Sequence, residues 1–198
     1  MEKLNRKFYT RKDTLQIARE ILGKTLVVPT EGGQRVSGKI VEVEAYLGEI
    51  DKASHAYNGR RTARNEITYN IGGKVYIFFI YGMYWQLNIV TNAAEIPHVI
   101  LIRAVEPIEG IEIMRERRGK MKDQNLTSGP GKLCIAFGID KSFNGEDLLG
   151  DKIWLENGEN ISDDQIESGK RIGIDYAQEF AEKPWRFWLK GNQFVSKK

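Results

Sequence analysis

Hydrophobic and polar positions alternate with two different periods along this chain. Leu15, Ala18 and Leu22 recur at helical spacing, Asp13 stands where a side chain caps free amides, and Gly23 closes the segment. Gln16, three residues after Asp13, completes a capping-box pattern. Runs rich in Val, Ile and aromatic residues follow at Thr25–Val28, Arg35–Tyr46, Val75–Tyr81, Trp85–Thr91 and Val99–Val105, and turn residues separate them. Pro107 suits the first turn of a helix, and Ile108, Ile111 and Met114 carry an apolar stripe onward. Thr127-Ser128-Gly129-Pro130 opens a short helix that ends near Gly138. Late strands are expected at Lys152–Leu155, Lys170–Ile174 and Arg186–Lys190, and Arg118–Thr127 reads as a surface loop.

Most of these strands follow one another without an intervening helix. That order predicts an α+β fold, a curved and mainly antiparallel sheet flanked by helices. No repeat or low-complexity tract divides the sequence, so residues 1–198 are expected to form a single compact domain. The segment Val75–Val90, VYIFFIYGMYWQLNIV, joins two aromatic-rich strands at Tyr81-Gly82-Met83. Turns are normally polar, so large apolar groups at this tip predict either a hairpin folded back into the core or a protruding wedge. A wedge of this kind can enter a duplex and fill the space left by an extruded nucleotide.

Composition narrows the chemistry mainly by exclusion. One cysteine in 198 residues rules out an internal disulfide framework, and one cysteine with His55 and His98 argues against a structural zinc site. Cys134 sits in the apolar run LCIAF and reads as a buried, inert thiol. No stretch approaches the roughly 20 apolar residues of a membrane span, and the charged N-terminus has no hydrophobic segment behind it. The expectation is an intracellular protein of the cytoplasm or nucleoid, with no membrane partner and no structural zinc. Thirty Lys and Arg against 27 Asp and Glu leave a mild net charge of +3. The charge is gathered in clusters: Arg60, Arg61 and Arg64; Arg115 to Lys122; and Lys183, Arg186 and Lys190 among Trp185, Phe187 and Trp188. Each reads alone as a solvated face, and together they favour a phosphate-rich partner.

Familiar catalytic signatures are missing. Gly129-Pro-Gly-Lys132 lacks the Ser/Thr and the glycine spacing of a phosphate loop, and neither a dinucleotide fingerprint nor a nucleophile elbow is present. The strand KIVEVEAY, residues 39–46, is more informative. Alternation puts Val41, Val43 and Ala45 on one face and Glu42, Glu44 and Tyr46 on the other. Glu42 reads equally as a solvated strand residue or as a site residue. Glu44 shares its face with Tyr46, and His55 follows closely, so a carboxylate, a phenol and an imidazole can line one pocket where the carboxylate activates water. Asn88 and Arg103 are polar groups at mid-strand that need partners if buried: a core hydrogen bond or salt bridge, or a base edge and a phosphate.

Taken in order, the segments AREILGKTLV, GKIVEVEAYLGEIDKASHAYNG, ARNE, KVYIFFIYGMYWQLNIVT, VILIRAVEPIEGIEIM, LTSGPGKLCIAFGID and RIGIDYAQEFAEKPWRFW resemble the alkyladenine (3-methyladenine) DNA glycosylase family over nearly the whole chain. VEAYLG, YGM and GPGKL at these separations make the resemblance specific. It implies hydrolysis of the N-glycosidic bond of alkylated purines in double-stranded DNA, opening base excision repair, with no metal and no cofactor; a monomer is the default expectation. It implies Glu44 as the general base and Arg103 beside the catalytic water. Tyr46, His55, Phe78 and Asn88 fall on the pocket for the flipped base, and Tyr81, with Met83 beside it, on the intercalating tip. Arg60, Arg61, Arg64 and Lys132 are the expected contacts to backbone phosphates. The family often has Tyr where this chain has Phe78; the phenyl face still stacks but lacks the hydroxyl, which bears on the breadth of neutral-lesion recognition. Two other classes remain open: a non-catalytic nucleic-acid-binding module that stacks bases on the aromatic hairpin, and an enzyme of free nucleosides. A helix-hairpin-helix glycosylase is set aside because no Leu-Pro-Gly-x-Gly hairpin occurs.

Overall fold

A computed structural model describes residues 2–196. The helices are α1 (Arg6–Tyr9), α2 (Thr14–Ile21), α3 (Ile111–Arg118) and α4 (Pro130–Phe137). The strands are β1 (Thr25–Pro29), β2 (Arg35–Leu47), β3 (Val75–Ile80), β4 (Tyr84–Thr91), β5 (His98–Glu109), β6 (Trp154–Glu156), β7 (Ile166–Gly169) and β8 (Arg186–Leu189). All eight join one sheet in the order β3-β4-β5-β2-β1-β6, with β8 on β2 and β7 on β8, and every pairing is antiparallel. This is the α+β architecture that the succession of strands predicts.

Strand alternation divides the two faces. Val41, Val43 and Ala45 of β2 belong to the main apolar core, with Ile17 and Ile21 of α2, Met114 of α3 and Leu133 and Phe137 of α4. Tyr46 points the other way, into smaller clusters with Ala53 and Ile174 and with Tyr76, Val90 and Val99. Asp13 caps α2 by accepting the Gln16 amide at 2.9 Å, but the Gln16 side chain turns to Glu20, so only half of the capping box forms.

Several boundaries differ from the sequence reading. Pro107 does not start a helix: β5 continues through it to Glu109, and α3 begins after Gly110, whose φ of 73° lies in the left-handed region. Pro107 is tolerated because it faces Gly38 at a shift in register, where the backbones approach so closely that a Cβ on Gly38 would sit 2.9 Å from the Glu106 carbonyl. The strand expected at Lys170–Ile174 lies earlier, at Ile166–Gly169, and residues 170–174 instead form the irregular segment carrying Arg171 and Ile172. The loop at 118–127 is not wholly superficial: Leu126 and Thr127 are buried, and Thr127 Oγ1 donates to the Val105 carbonyl at 2.5 Å.

The β3–β4 hairpin settles the alternative at its tip. Tyr81 is 76% exposed and Met83 64%, so the tip stands away from the core. The Met83 amide donates to the Ile80 carbonyl at 3.1 Å, and Tyr81 and Gly82 between them have φ of 55° and 66°. Two left-handed central residues match the twist of a tight hairpin, a position that favours Asn or Gly over an aromatic residue. Holding tyrosine there costs about 1–3 kcal/mol. Tyr81→Asn is therefore expected to raise the free energy of unfolding by about 1 kcal/mol in a urea titration; an unchanged or lower midpoint would show that the tip is unstrained.

Candidate active site

The site is built on a fault in the sheet. Pairing of β2 with β5 runs from Ile40↔Val105 to Glu42↔Ala104 and then to Val43↔Ile102, so Val41 and Arg103 have no partner in the ladder. Such bulges re-aim side chains. Here Arg103 reaches two carboxylates of β2: its Nε donates to Glu42 Oε1 at 2.8 Å, and its Nη1 lies 3.2 Å from Glu44 Oε1. Glu42 and Glu44 are both fully buried. Glu42 also accepts from Arg186 Nε at 2.8 Å and from the Ser196 amide at 2.7 Å. The solvated reading of Glu42 is thus excluded.

Glu44 is held from three sides. Besides Arg103, Oε1 accepts the Ile172 amide at 2.8 Å, and Oε2 accepts the Tyr46 hydroxyl at 2.8 Å. Tyr46, Arg103 and Ile172 all line one cavity of about 250 Å³. His55, Phe78, Tyr81 and Asn88 line it too, as do Tyr76, Val99, Gly173 and Tyr176. The residues singled out by sequence for a pocket therefore meet at one place, with Tyr81 at its edge and Glu44 behind the wall. Met83 lies beyond the lining, exposed on the same hairpin tip.

The aromatic walls are uncharged. Burial, reinforced by neighbouring Glu44, pushes the Tyr46 phenol well above its usual pKa. His55 stacks on Phe78 with ring centroids 4.0 Å apart, and its Nδ1 shares a 2.9 Å hydrogen bond with the Tyr76 hydroxyl. Desolvation, then Arg64 and Arg60, lower the His55 pKa to about 4, so its ring is neutral at pH 7 although the residue keeps exposed surface. Asn88 Nδ2 donates to the carbonyls of Tyr76 at 3.2 Å and Gln86 at 3.3 Å. Its Oδ1 remains as an acceptor.

The basic clusters are largely engaged within the fold. Arg61 is paired with Glu66 and Glu95. Arg64 donates to the Phe79 carbonyl at 2.6 Å and lies 4.0 Å over the Phe78 ring. Arg60 and Lys132 are exposed and make no side-chain bond to described residues. Arg115 pairs with Asp123, and Arg117 and Arg118 donate to backbone carbonyls. In the aromatic-basic run near the C-terminus Arg186 and Phe187 are buried and Trp188 donates to Glu167, which leaves Lys183 and Lys190 exposed. Cys134 is buried, and burial pushes its thiol up to about 12, as an inert core thiol requires. Among the described residues no group of His, Cys, Asp or Glu is arranged to hold a metal, and no helix is long and apolar enough to cross a membrane.

The sequence reading missed Tyr76, Ile172 and the buried pair Arg171–Asp51. Tyr76 was legible in principle, because it alternates with Phe78 on β3. The others are not: a backbone amide carries no side-chain signal, and Arg171 and Asp51 lie 120 positions apart.

Comparison with known proteins shows the family of the chain. The family model described as methylpurine-DNA glycosylase (MPG) matches residues 7–193. The chain belongs to the methylpurine-DNA glycosylase family. It is 49% identical over 206 residues to a protein of Clostridium novyi, covering all of both chains. It is 51% identical over 202 residues to one of Clostridium acetobutylicum, covering 98% of this chain and 97% of the other. A third relative, from Desulfitobacterium hafniense, is 50% identical over 208 residues with full coverage of both. All three carry the name "Putative 3-methyladenine DNA glycosylase". Family membership makes the chain a DNA glycosylase, a hydrolase of N-glycosyl bonds.

The buried charges of this glycosylase fold give a pH signature. Burial opposes ionisation of Glu42, but Arg103, Ser196 and Arg186 together outweigh it, and its pKa lies below the usual carboxylate value. A lowered folded pKa gives stability that is present above the unfolded pKa and lost as pH falls through the folded one. Glu42→Gln, which leaves arginines uncompensated, is expected to cost about 3–5 kcal/mol at pH 7. The gap to wild type should narrow below pH ~4. Urea titrations of both proteins across pH 3–8 measure it, and a constant gap would contradict the assignment.

Proposed function

We propose that the chain hydrolyses the N-glycosidic bond of alkylated purines, 3-methyladenine and 7-methylguanine first, and hypoxanthine or ethenoadenine more slowly, after the nucleotide has been flipped out of duplex DNA. The observation that carries this reading is the buried carboxylate of Glu44 set behind a cavity walled by neutral rings. A purine alkylated on N3 or N7 is cationic. Between Tyr46 and His55 it stacks on uncharged rings, because His55 is neutral at pH 7, and the Arg103 guanidinium in the lining is offset by Glu42 and Glu44. Cation–π attraction to such rings reaches about 2 kcal/mol when desolvated. A cation on this scale is also a ready leaving group.

Glu44 acts as the general base. A carboxylate offers about four lone-pair sites. Three are directed at Tyr46, Ile172 and Arg103, which leaves one for a water molecule. That water transfers a proton to Glu44 while its oxygen attacks C1′ of the sugar. The C1′–N bond breaks, and the purine departs with the bonding electrons. The carboxylate also stabilises the positive charge that develops on the sugar. Arg103, anchored between Glu42 and Glu44, fixes the carboxylate and the water beside it. The product is an intact abasic site, because the mechanism contains no amine nucleophile to open the sugar.

Tyr81 and Met83 at the exposed hairpin tip fill the gap in the duplex and offset part of the few kcal/mol that extrusion costs. Arg60 and Lys132, unengaged within the fold, are the stronger candidates for phosphate contacts, and binding should weaken steeply with salt. The opposing faces of Phe78 are taken up by His55 and Arg64, so Phe78 supports the His55 wall and its missing hydroxyl alters polar contacts rather than stacking.

The test is to incubate the protein with duplexes carrying each of these four lesions and to count the bases set free. Glu44→Gln is expected to keep lesion-duplex affinity within a few-fold and to slow release at least about a hundredfold. Unchanged release would remove Glu44 from the mechanism. Tyr81→Ala should weaken binding to the lesion duplex several-fold; if binding holds, the tip does not enter DNA, and a free nucleoside becomes the better substrate.

A further inference from the structure

Arg171 lies outside the cavity lining but contacts the back of Tyr46 and the backbone between Glu44 and Tyr46. Both it and Asp51 are completely buried. The guanidinium meets the carboxylate in a two-pronged pair, Nη1 to Oδ2 at 2.6 Å and Nη2 to Oδ1 at 2.8 Å. Nη1 also donates to the carbonyl of Ala45, the residue between Glu44 and Tyr46, at 2.9 Å, and Nη2 to the Phe180 carbonyl at 3.3 Å. The guanidinium carbon stands 4.6 Å from the centre of the Tyr46 ring and 5.1 Å from that of Trp185. Asp51 in turn accepts the amides of Leu47 at 3.1 Å and Ala53 at 3.0 Å, which fixes the turn leading to His55. On the other side, the residue after Arg171 is Ile172, whose amide donates to Glu44.

Such a pair is a poor device for stability alone. Buried ion pairs can often be replaced by apolar residues without loss, and Arg171 leaves its Nε buried with no hydrogen-bond partner among the described residues. What the pair does uniquely is to tie the back of Tyr46, the turn before His55 and the amide donor of Glu44 to one rigid fork. We propose that Arg171 and Asp51 are positioning residues that set the spacing between the two aromatic walls and the aim of Glu44, and so control the hydrolytic step without touching DNA. This rests on the glycosylase reading above.

The test uses the full chain with the paired replacement Arg171→Met and Asp51→Leu, which removes both charges together, and with Arg171→Lys, which keeps one ionic bond. Three quantities are read: thermal midpoint, affinity for a duplex with a tetrahydrofuran abasic analogue, and single-turnover release of 7-methylguanine at saturating enzyme. A misplacement of about 1 Å can cost a hundredfold. The paired variant is expected to keep its midpoint and its abasic-duplex affinity within twofold while release slows about a hundredfold, and Arg171→Lys, which keeps one ionic bond but not the fork, to slow release at least about tenfold with fold and binding intact. Undiminished release in either folded variant overturns the proposal, as does an equal fall in release and abasic-duplex affinity, which marks general scaffolding. Should the paired variant not fold, Arg171→Lys decides alone: release slowed at least tenfold more than binding supports the proposal, and parallel or absent losses overturn it. A wild-type chain that frees no base from any lesion duplex overturns the functional reading and this inference with it, whereas wild-type release with unaffected variants overturns only the inference.

Discussion

The structure depends on keeping two carboxylates charged inside a sheet. Glu42 and Glu44 sit two residues apart on the central strand β2, and neither reaches solvent. Unpaired, such charges would be prohibitive in a dry interior. The solution is Arg103, offset at a bulge so that it reaches both, with Arg186 adding a second positive charge at Glu42. Register between β2 and β5 is therefore set by ionic contacts as well as by apolar packing, since a slip of one residue would move Arg103 away from its partners.

This arrangement separates two duties that one acid could not perform together. Glu42 accepts three firm hydrogen bonds and serves as an anchor. Glu44 accepts two hydrogen bonds, from a phenol and a backbone amide, and has Arg103 at 3.2 Å, so one of its lone-pair sites is left over. The aromatic walls follow the same logic. Tyr46 is braced from behind by Arg171, and His55 by Phe78 and Tyr76, so the faces turned to the cavity are preset before anything enters.

The positions of the long strands and the α+β class were legible from alternation, because β2, β3, β4 and β5 carry long runs of β-branched and aromatic residues. So was the grouping of Glu44, Tyr46 and His55, which are close in sequence. Failures arose where tertiary context overrides local preference. Pro107 looks like a helix start, yet a glycine opposite lets the strand pass. Arg118 and Arg186 look like surface charge, yet Arg118 donates to the Leu126 carbonyl and Arg186 to buried Glu42. Glu42 could not be assigned from its strand alone, because both of its arginines come from distant segments, 61 and 144 positions away.

The shell around Glu42 is completed late in biogenesis. While the chain is emerging from the ribosome, β2 is made early, but the Arg186 side chain and the Ser196 amide that complete the shell around Glu42 arrive only after almost all of the remaining sequence. Until then the middle of the sheet must stay wet or protonated, so the central strand can dehydrate only as one of the last events of folding, and a ribosome stalled before β8 would display a polypeptide that is still open at its own centre.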